Sequence, residues 1–169
     1  ASEEGLVAVG GEITTVRVLS AYRQGIFPWY SEDQPVLWWS PEPRAILYPD
    51  DIKISRSLKK TLRKKLFQVT ADQAFSEVIK GCAGPRIQSP GGGTWITDEM
   101  MSTYTRLHQM GYGHSIEVWH DGKLAGGLYG LALGSAFFGE SMYSHAPDAS
   151  KVALVHLAKI ATSHGIDFI

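Results

Sequence analysis

Residues 114–151, HSIEVWHDGKLAGGLYGLALGSAFFGESMYSHAPDASK, decide the fold. Three short apolar runs, 114–119, 124–133 and 136–144, are separated by Asp121-Gly122 and Gly134-Ser135. Both pairs suit tight hairpins because their residues tolerate positive φ. The spacing therefore predicts an antiparallel meander. In the second and third runs both faces carry apolar residues, so the sheet is expected to be covered on both sides. Glu140 then stands where a carboxylate is costly to bury, and one acid in an apolar strand needs a reason.

Beyond the meander, Asp148 is expected to start a helix over 149–163 carrying Val152, Leu154, Val155, Leu157, Ala158 and Ala161. Gly165 ends it, and 166–169 begin another strand. On the N-terminal side, 67–69 form a brief strand candidate, and Asp72 is expected to cap a helix with Phe75, Val78, Ile79 and Cys82 at helical spacing. Residues 84–93, GPRIQSPGGG, read as a flexible connection. They lack the Gly-Lys-Ser/Thr ending and preceding strand of a phosphate loop. Thr97, Asp98 and Glu99 open a helix bearing Met101, Tyr104, Leu107 and His108, stopped at Gly111. A helix and a strand after an antiparallel meander give the order of an α+β sheet with helices on its faces.

Nearer the start, 5–11 read as a glycine-punctuated strand or loop, and Thr14 or Thr15 caps a helix carrying Val18, Leu19 and Tyr22 that ends at Gly25. Residues 25–47, GIFPWYSEDQPVLWWSPEPRAIL, hold four prolines and three tryptophans, too broken for a long regular element. They should form an ordered loop around the core. Trp29, Trp38 and Trp39 are either core side chains or, held at the surface of a rigid loop, stacking platforms for a nucleobase.

A chain of 169 residues with 44% hydrophobic content suits one compact domain with room for a small annex. One cysteine, Cys82, excludes an internal disulfide and a multi-cysteine zinc site, as expected of a reducing cytoplasm. No apolar run is long enough to span a bilayer, and the opening ASEEGL is acidic where a signal peptide is basic, so a cytoplasmic protein without membrane contact is expected. The net charge of −1 hides a split. Residues 52–65 hold seven of the 16 Lys and Arg and no acid, leaving nine bases against 17 acids elsewhere, a remainder of −8. From Ser57 this segment reads as a helix with Leu58, Leu62 and Leu66 on one face and Lys59, Lys60, Arg63 and Lys64 around the rest. The bases are unpaired with acids at i+4, so the strip is either a solvated face or a polyanion-binding surface, with an RNA backbone as the natural anion.

The six histidines lack the i, i+4 spacing with a nearby acid that a zinc hydrolase needs, so no metal is expected. Gly139-Glu-Ser-Met-Tyr143 lacks the second glycine of a serine elbow. The junction from Tyr143 to Lys151 lacks the glycine-rich turn with which an acetyltransferase holds acetyl-CoA, which leaves an acyl-CoA-dependent acetyltransferase as an alternative only.

The motifs GGEITTVRVLSAYRQGIFPWYS (10–31), LWWSPEPRAIL (37–47), ISRSLKK (54–60), GTWIT (93–97), HSIEVW (114–119), and GGLYG through FFGESMYS to DASK (126–151) span nearly the whole chain. In them the sequence resembles the leucyl/phenylalanyl-tRNA-protein transferases, bacterial enzymes that add Leu or Phe (and Met) from aminoacyl-tRNA to proteins with an N-terminal Arg or Lys, marking them for degradation. The resemblance implies a small N-terminal domain, 1–50, packed on an acetyltransferase-like (GNAT-like) domain, 51–169, with a mainly antiparallel sheet flanked by helices. It implies adenosine stacking by Trp29 and Trp95, and an aminoacyl side-chain pocket at Leu128, Phe137 and Met142 with the carboxylate of Glu140 at its edge. The acceptor amine must attack as a neutral nucleophile, so Glu140 is either the carboxylate that holds or deprotonates it or a structural acid hydrogen-bonded to the neighbouring backbone. The basic strip, Arg56, Lys59, Lys60, Arg63 and Lys64, would take the tRNA. The ester of an aminoacyl-tRNA is already activated, so no cofactor is expected, and the partners are aminoacyl-tRNA and acceptor proteins, met by a monomer. The family continues from its last strand into an Ile-Asp-Cys-Gln motif whose Asp and Gln form its proposed proton relay. Ile169 stands at that motif's Ile, so an incomplete form is expected, and a chain truly without the relay is expected to be a non-catalytic RNA-binding module.

Overall fold

The computed structural model describes residues 4–84 and 96–169. Its elements run β1 (Leu6–Val9), α1 (Thr15–Tyr22), β2 (Phe27–Pro28), β3 (Leu37–Trp39), α2 (Arg56–Arg63), β4 (Gln68–Ala71), α3 (Phe75–Ala83), α4 (Asp98–Gln109), β5 (Gly113–His120), β6 (Lys123–Leu133), β7 (Ala136–Ser144) and α5 (Ala149–Ala161). The architecture is α+β, with antiparallel sheets and helices. The chain divides into two compact units, the first made of Ala1–Ala45 with Ala83–Leu107, the second of Ile46–Cys82 with His108–Ile169. The first of these units takes in a segment from mid-chain. No helix among the described residues is long and apolar enough to cross a membrane.

In the first unit, Thr14 caps α1 by accepting from the Arg17 amide, and Val18, Leu19, Ala21 and Tyr22 form its buried side. The 25–47 region is more regular than its prolines suggest. It contributes β2 and β3, and β3 pairs with β1 on one side and β2 on the other, in the order β1-β3-β2. Proline is tolerated because β2 is an edge strand of only two residues, where the missing N–H costs no inner ladder bond. Thr97 caps α4 through the Met100 amide. The helix buries Met100, Thr103, Tyr104 and Leu107, so Met100 rather than Met101 is its inward methionine. Across the core of this unit the hydroxyls of Tyr22 and Tyr104 meet at 2.7 Å.

In the second unit, the two hairpins form where the turn pairs stand. Asp121 and Gly122 both take positive φ, 49° and 73°, as a type I′ turn requires, whereas at the second hairpin only Gly134 does, at 58°. The sheet order is β4-β5-β6-β7, antiparallel throughout. The closing segment adds one parallel bridge, Phe168 beside Ala136, rather than a full strand. The backbones of Ile169 and Leu47 exchange hydrogen bonds of 2.7 and 2.9 Å beyond it. One face of the sheet, with Ile116, Val118, Leu128 and Phe137, packs with Val152, Ala153, Val155, Leu157 and Ala161 of α5 and Leu58 of α2 into one hydrophobic cluster. Gly126 permits the approach of α5, because a Cβ there would lie 2.8 Å from the Ala149 Cβ. The other face carries α3: the Phe75 ring meets Tyr129 edge-on at 5.7 Å. The expectation of a sheet covered on both faces is met.

Three local readings change. Helix α2 ends at Arg63, where Lys64 and a left-handed Lys65 (φ 49°) close it, so Leu66 lies beyond the helix and is exposed. Helix α5 ends at Ala161, followed by a single 3-10 turn over Thr162–His164. Asp72 does not cap α3: its carboxylate accepts from the Ser115 amide at 2.9 Å and meets His114 Nδ1 at 2.8 Å.

Candidate functional site

The register of β6 and β7 sets the geometry around the acid that the sequence singles out. Leu128 lies opposite Met142 and Ala132 opposite Phe137, so Leu128, Phe137 and Met142 share the sheet face on which α5 packs. Leu128 and Phe137 are buried in that cluster, while Met142 is 43% exposed. Tyr129 pairs with Ser141 and the next residue, Gly130, pairs with Gly139. Glu140 is therefore the extra residue of a β-bulge. A bulge lets one side chain leave the alternation of its strand, and Glu140 is half-buried there rather than part of the fully buried core.

The fully buried acid of the sheet is a different one, Glu117 on β5, with no exposed surface. Within HSIEVW it stands out by no local sequence signal. Its Oε1 accepts from the Ser115 hydroxyl and from the Ala74 amide at 3.1 Å, and its Oε2 from the Thr70 hydroxyl at 2.6 Å and the Gln73 amide at 3.4 Å. Thr70 in turn accepts from the Trp119 indole N–H at 2.8 Å. The two amides belong to the entry of α3, so a strand carboxylate does the work expected of Asp72 and also complements the helix dipole. The signal available in the sequence was the alternation Ser115, Glu117 in β5 against Thr70 in β4, which requires the strand register to be read.

Beside this network, Asp72 bridges two histidines. Burial pushes its carboxyl up, but the hydrogen bonds from His114 and the Ser115 amide, with the positive charge of His114 and His108, more than offset that and hold it below its ordinary value. The same bond to Asp72 raises His114 against the opposing effect of its burial. His108, 3.9 Å from Asp72, stacks on Phe75 with ring centroids 4.4 Å apart.

Helix α2 displays the basic strip. Ser55 caps it, Leu58 inserts into the core, and Arg56, Lys59, Lys60, Arg63 and Lys64 are all exposed. Among the described residues none of the five lies in a salt bridge. The helix is tied down on its inner side by Thr61, whose hydroxyl donates to Asp148 at 2.9 Å.

In the first unit Trp29 is 51% exposed on a fixed backbone. Its N–H donates to the Leu37 carbonyl at 2.9 Å and its carbonyl accepts from the Trp39 indole N–H at 2.7 Å. Trp38 is buried, and its indole N–H donates to the Gly10 carbonyl. The three tryptophans thus divide into one core side chain, one support and one displayed ring. Trp95 lies outside the described residues.

A family model described as leucyl/phenylalanyl-tRNA protein transferase matches residues 46–169, and one described as the N-terminal domain of the same transferase matches residues 11–42. The chain is 62% identical over 155 residues to the leucyl/phenylalanyl-tRNA–protein transferase of Aromatoleum aromaticum, an alignment covering 92% of this chain and 65% of that protein. It is 56% identical over 165 residues to the protein of that name from Nitrosomonas europaea, covering 98% and 69%. With that of Legionella pneumophila it shares 59% over 167 residues, covering 99% and 74%. The chain thus spans about two thirds of the length of these curated relatives.

Proposed function

The chain belongs to the leucyl/phenylalanyl-tRNA protein transferase family, and from that premise we propose that it moves Leu, Phe or Met from aminoacyl-tRNA to the α-amine of proteins beginning with Arg or Lys. The observation that carries this reading is the match to the family over both parts of the chain, at identities of 56–62% to the three relatives above. An acetyltransferase-like (GNAT-like) fold for the second unit belongs to the same proposal. Its support is the antiparallel sheet followed by α5 and a parallel return beside β7.

The chemistry follows from the residues. The acceptor amine attacks the ester carbonyl carbon, a C–N bond forms, and the C–O bond to the terminal ribose breaks. The amine must arrive neutral and shed a proton, and the ribose oxygen must gain one. Glu140, set apart by the bulge, takes the first role by accepting a hydrogen bond or the proton from the amine. Leu128, Phe137 and Met142 are read as the receiver of the aminoacyl side chain. An apolar site separates ligands by only about 1–3 kcal/mol per methylene, which suits tolerance of Leu, Phe and Met. The acidic remainder of the chain favours a basic acceptor end. The strip on α2 takes the tRNA backbone, and Trp29 with Trp95 holds the terminal adenosine. A cytoplasmic monomer completes the proposal.

The test is transfer of labelled Leu or Phe from charged tRNA to a peptide starting with Arg, in the full-length protein. Glu140→Gln should lose at least about 100-fold in transfer, the scale of acid–base assistance, while still binding charged tRNA. Undiminished turnover in that variant would remove Glu140 from the mechanism, and no transfer by the unaltered protein would remove the function.

A further inference from the structure

The three-stranded sheet of the first unit has two unlike faces. Directly opposed residues of antiparallel strands share a face, and so do residues two apart on one strand. Pro28 and Trp38 oppose one another and are both buried. Phe27 opposes Trp39 on the other face, and Trp29, two residues after Phe27, joins them. No ring of this second set is fully buried. The Trp29 and Trp39 rings lie 6.2 Å apart, and Arg44 lays its guanidinium over Phe27 at 5.1 Å while donating to the Gly25 carbonyl at 3.0 Å. Arg44 itself is exposed. The arrangement is built rather than accidental, since the Trp39 indole N–H and the Arg44 guanidinium are each fixed to a backbone carbonyl.

We propose that this face is a stacking platform for the unpaired nucleotides that precede the terminal adenosine of the tRNA. The proposal rests on the aminoacyl-tRNA reading above and extends it from one base to several. The occupant follows from the chemistry. Two partly exposed indoles and a guanidinium plane offer successive π-surfaces, which single-stranded bases use without regard to sequence, whereas paired bases keep their faces inside the helix. Among the described residues Arg44 makes one hydrogen bond, to Gly25, and the guanidinium's further N–H groups and positive charge match a phosphodiester, which a peptide strand would not supply. A membrane surface or a second copy of this chain offers no comparable succession of flat rings joined by phosphates.

The experiment compares adenosine with the single-stranded RNA tetranucleotide ACCA, titrated against the full-length protein at fixed salt with tryptophan fluorescence as readout. The tetranucleotide should bind at least fivefold more tightly than adenosine. Trp39→Leu should bring that ratio close to one. Arg44→Gln should weaken the tetranucleotide severalfold and flatten its salt dependence, with adenosine little affected. Equal affinities for the two probes in the unaltered protein, or a ratio unmoved by both substitutions, overturn the platform. Should Trp39→Leu fail to fold by circular dichroism, Arg44→Gln, an exposed side chain, decides the matter alone. The two readings fail separately: a protein that transfers Leu or Phe yet binds both probes equally loses only the platform, whereas one that binds the tetranucleotide but transfers nothing loses the aminoacyl-transfer function.

Discussion

At the scale of single residues, burial separates two acids that the sequence does not. Glu140 is conspicuous among apolar letters, yet Glu117 is the one withdrawn from water, and four donors converge on it. Replacing Glu117 with Leu strands those donors, each buried unpaired group costing about 1–3 kcal/mol, so a loss of roughly 3 kcal/mol or more is expected from the urea midpoint at unchanged slope. Glu117→Gln should also destabilise, because its amide nitrogen would face donors. An equally stable Glu117→Leu protein would contradict the network. The Asp72–His114 pair predicts a pH profile. Asp72 titrates lower in the folded chain than its ordinary 3.8, so its contribution is present above that value and lost as pH falls through the folded one. His114 titrates above its ordinary 6.5, so its contribution is full below 6.5 and lost as pH rises through the raised value. The stability difference between the protein and His114→Gln should therefore be greatest between these two pH values and shrink on either side. A flat difference from pH 4 to 8 would refute the coupling.

At the scale of elements, the meander was legible because its signals are local. Asp121-Gly122 and Gly134 sit where the turns need them, and strand periodicity does the rest. The short strands β2 and β3 were hidden, because Pro28 and the adjacent tryptophans carry no alternation, and β3, the strand that β2 pairs with, takes its other partner β1 from far back in the sequence. The bulge was hidden for a related reason: it exists only as a mismatch in count between β6 and β7. That mismatch makes a sharp prediction. Deleting Glu140 would leave Tyr129 opposite Ser141 and Gly130 opposite Gly139 as consecutive pairs of a regular ladder. The deletion should fold, with the urea midpoint little changed, and should not transfer an aminoacyl group. Loss of folding would mean that the bulge serves the sheet rather than the chemistry.

At the scale of the molecule, the sequence carries no sign of which mid-chain segment belongs with the first unit. Helix α4 looks self-sufficient in sequence, with its cap at Thr97 and its stop at Gly111, and nothing local says that Tyr104 meets Tyr22. A fragment of residues 1–50 lacks Met100, Tyr104 and Leu107, and without them a chain so short buries too little to hold together. It should give a collapsed amide spectrum by NMR, and well-dispersed resonances would show that α4 is dispensable. The same arrangement bears on synthesis. A ribosome adding roughly 5–20 residues per second must make about sixty more after Ala45 before Leu107 emerges, an interval on the order of 3–12 s. Through that interval Tyr22 leaves the exit tunnel without Tyr104, its partner in the finished unit, so the stretch before Ala45 is where chaperone contact during synthesis is expected.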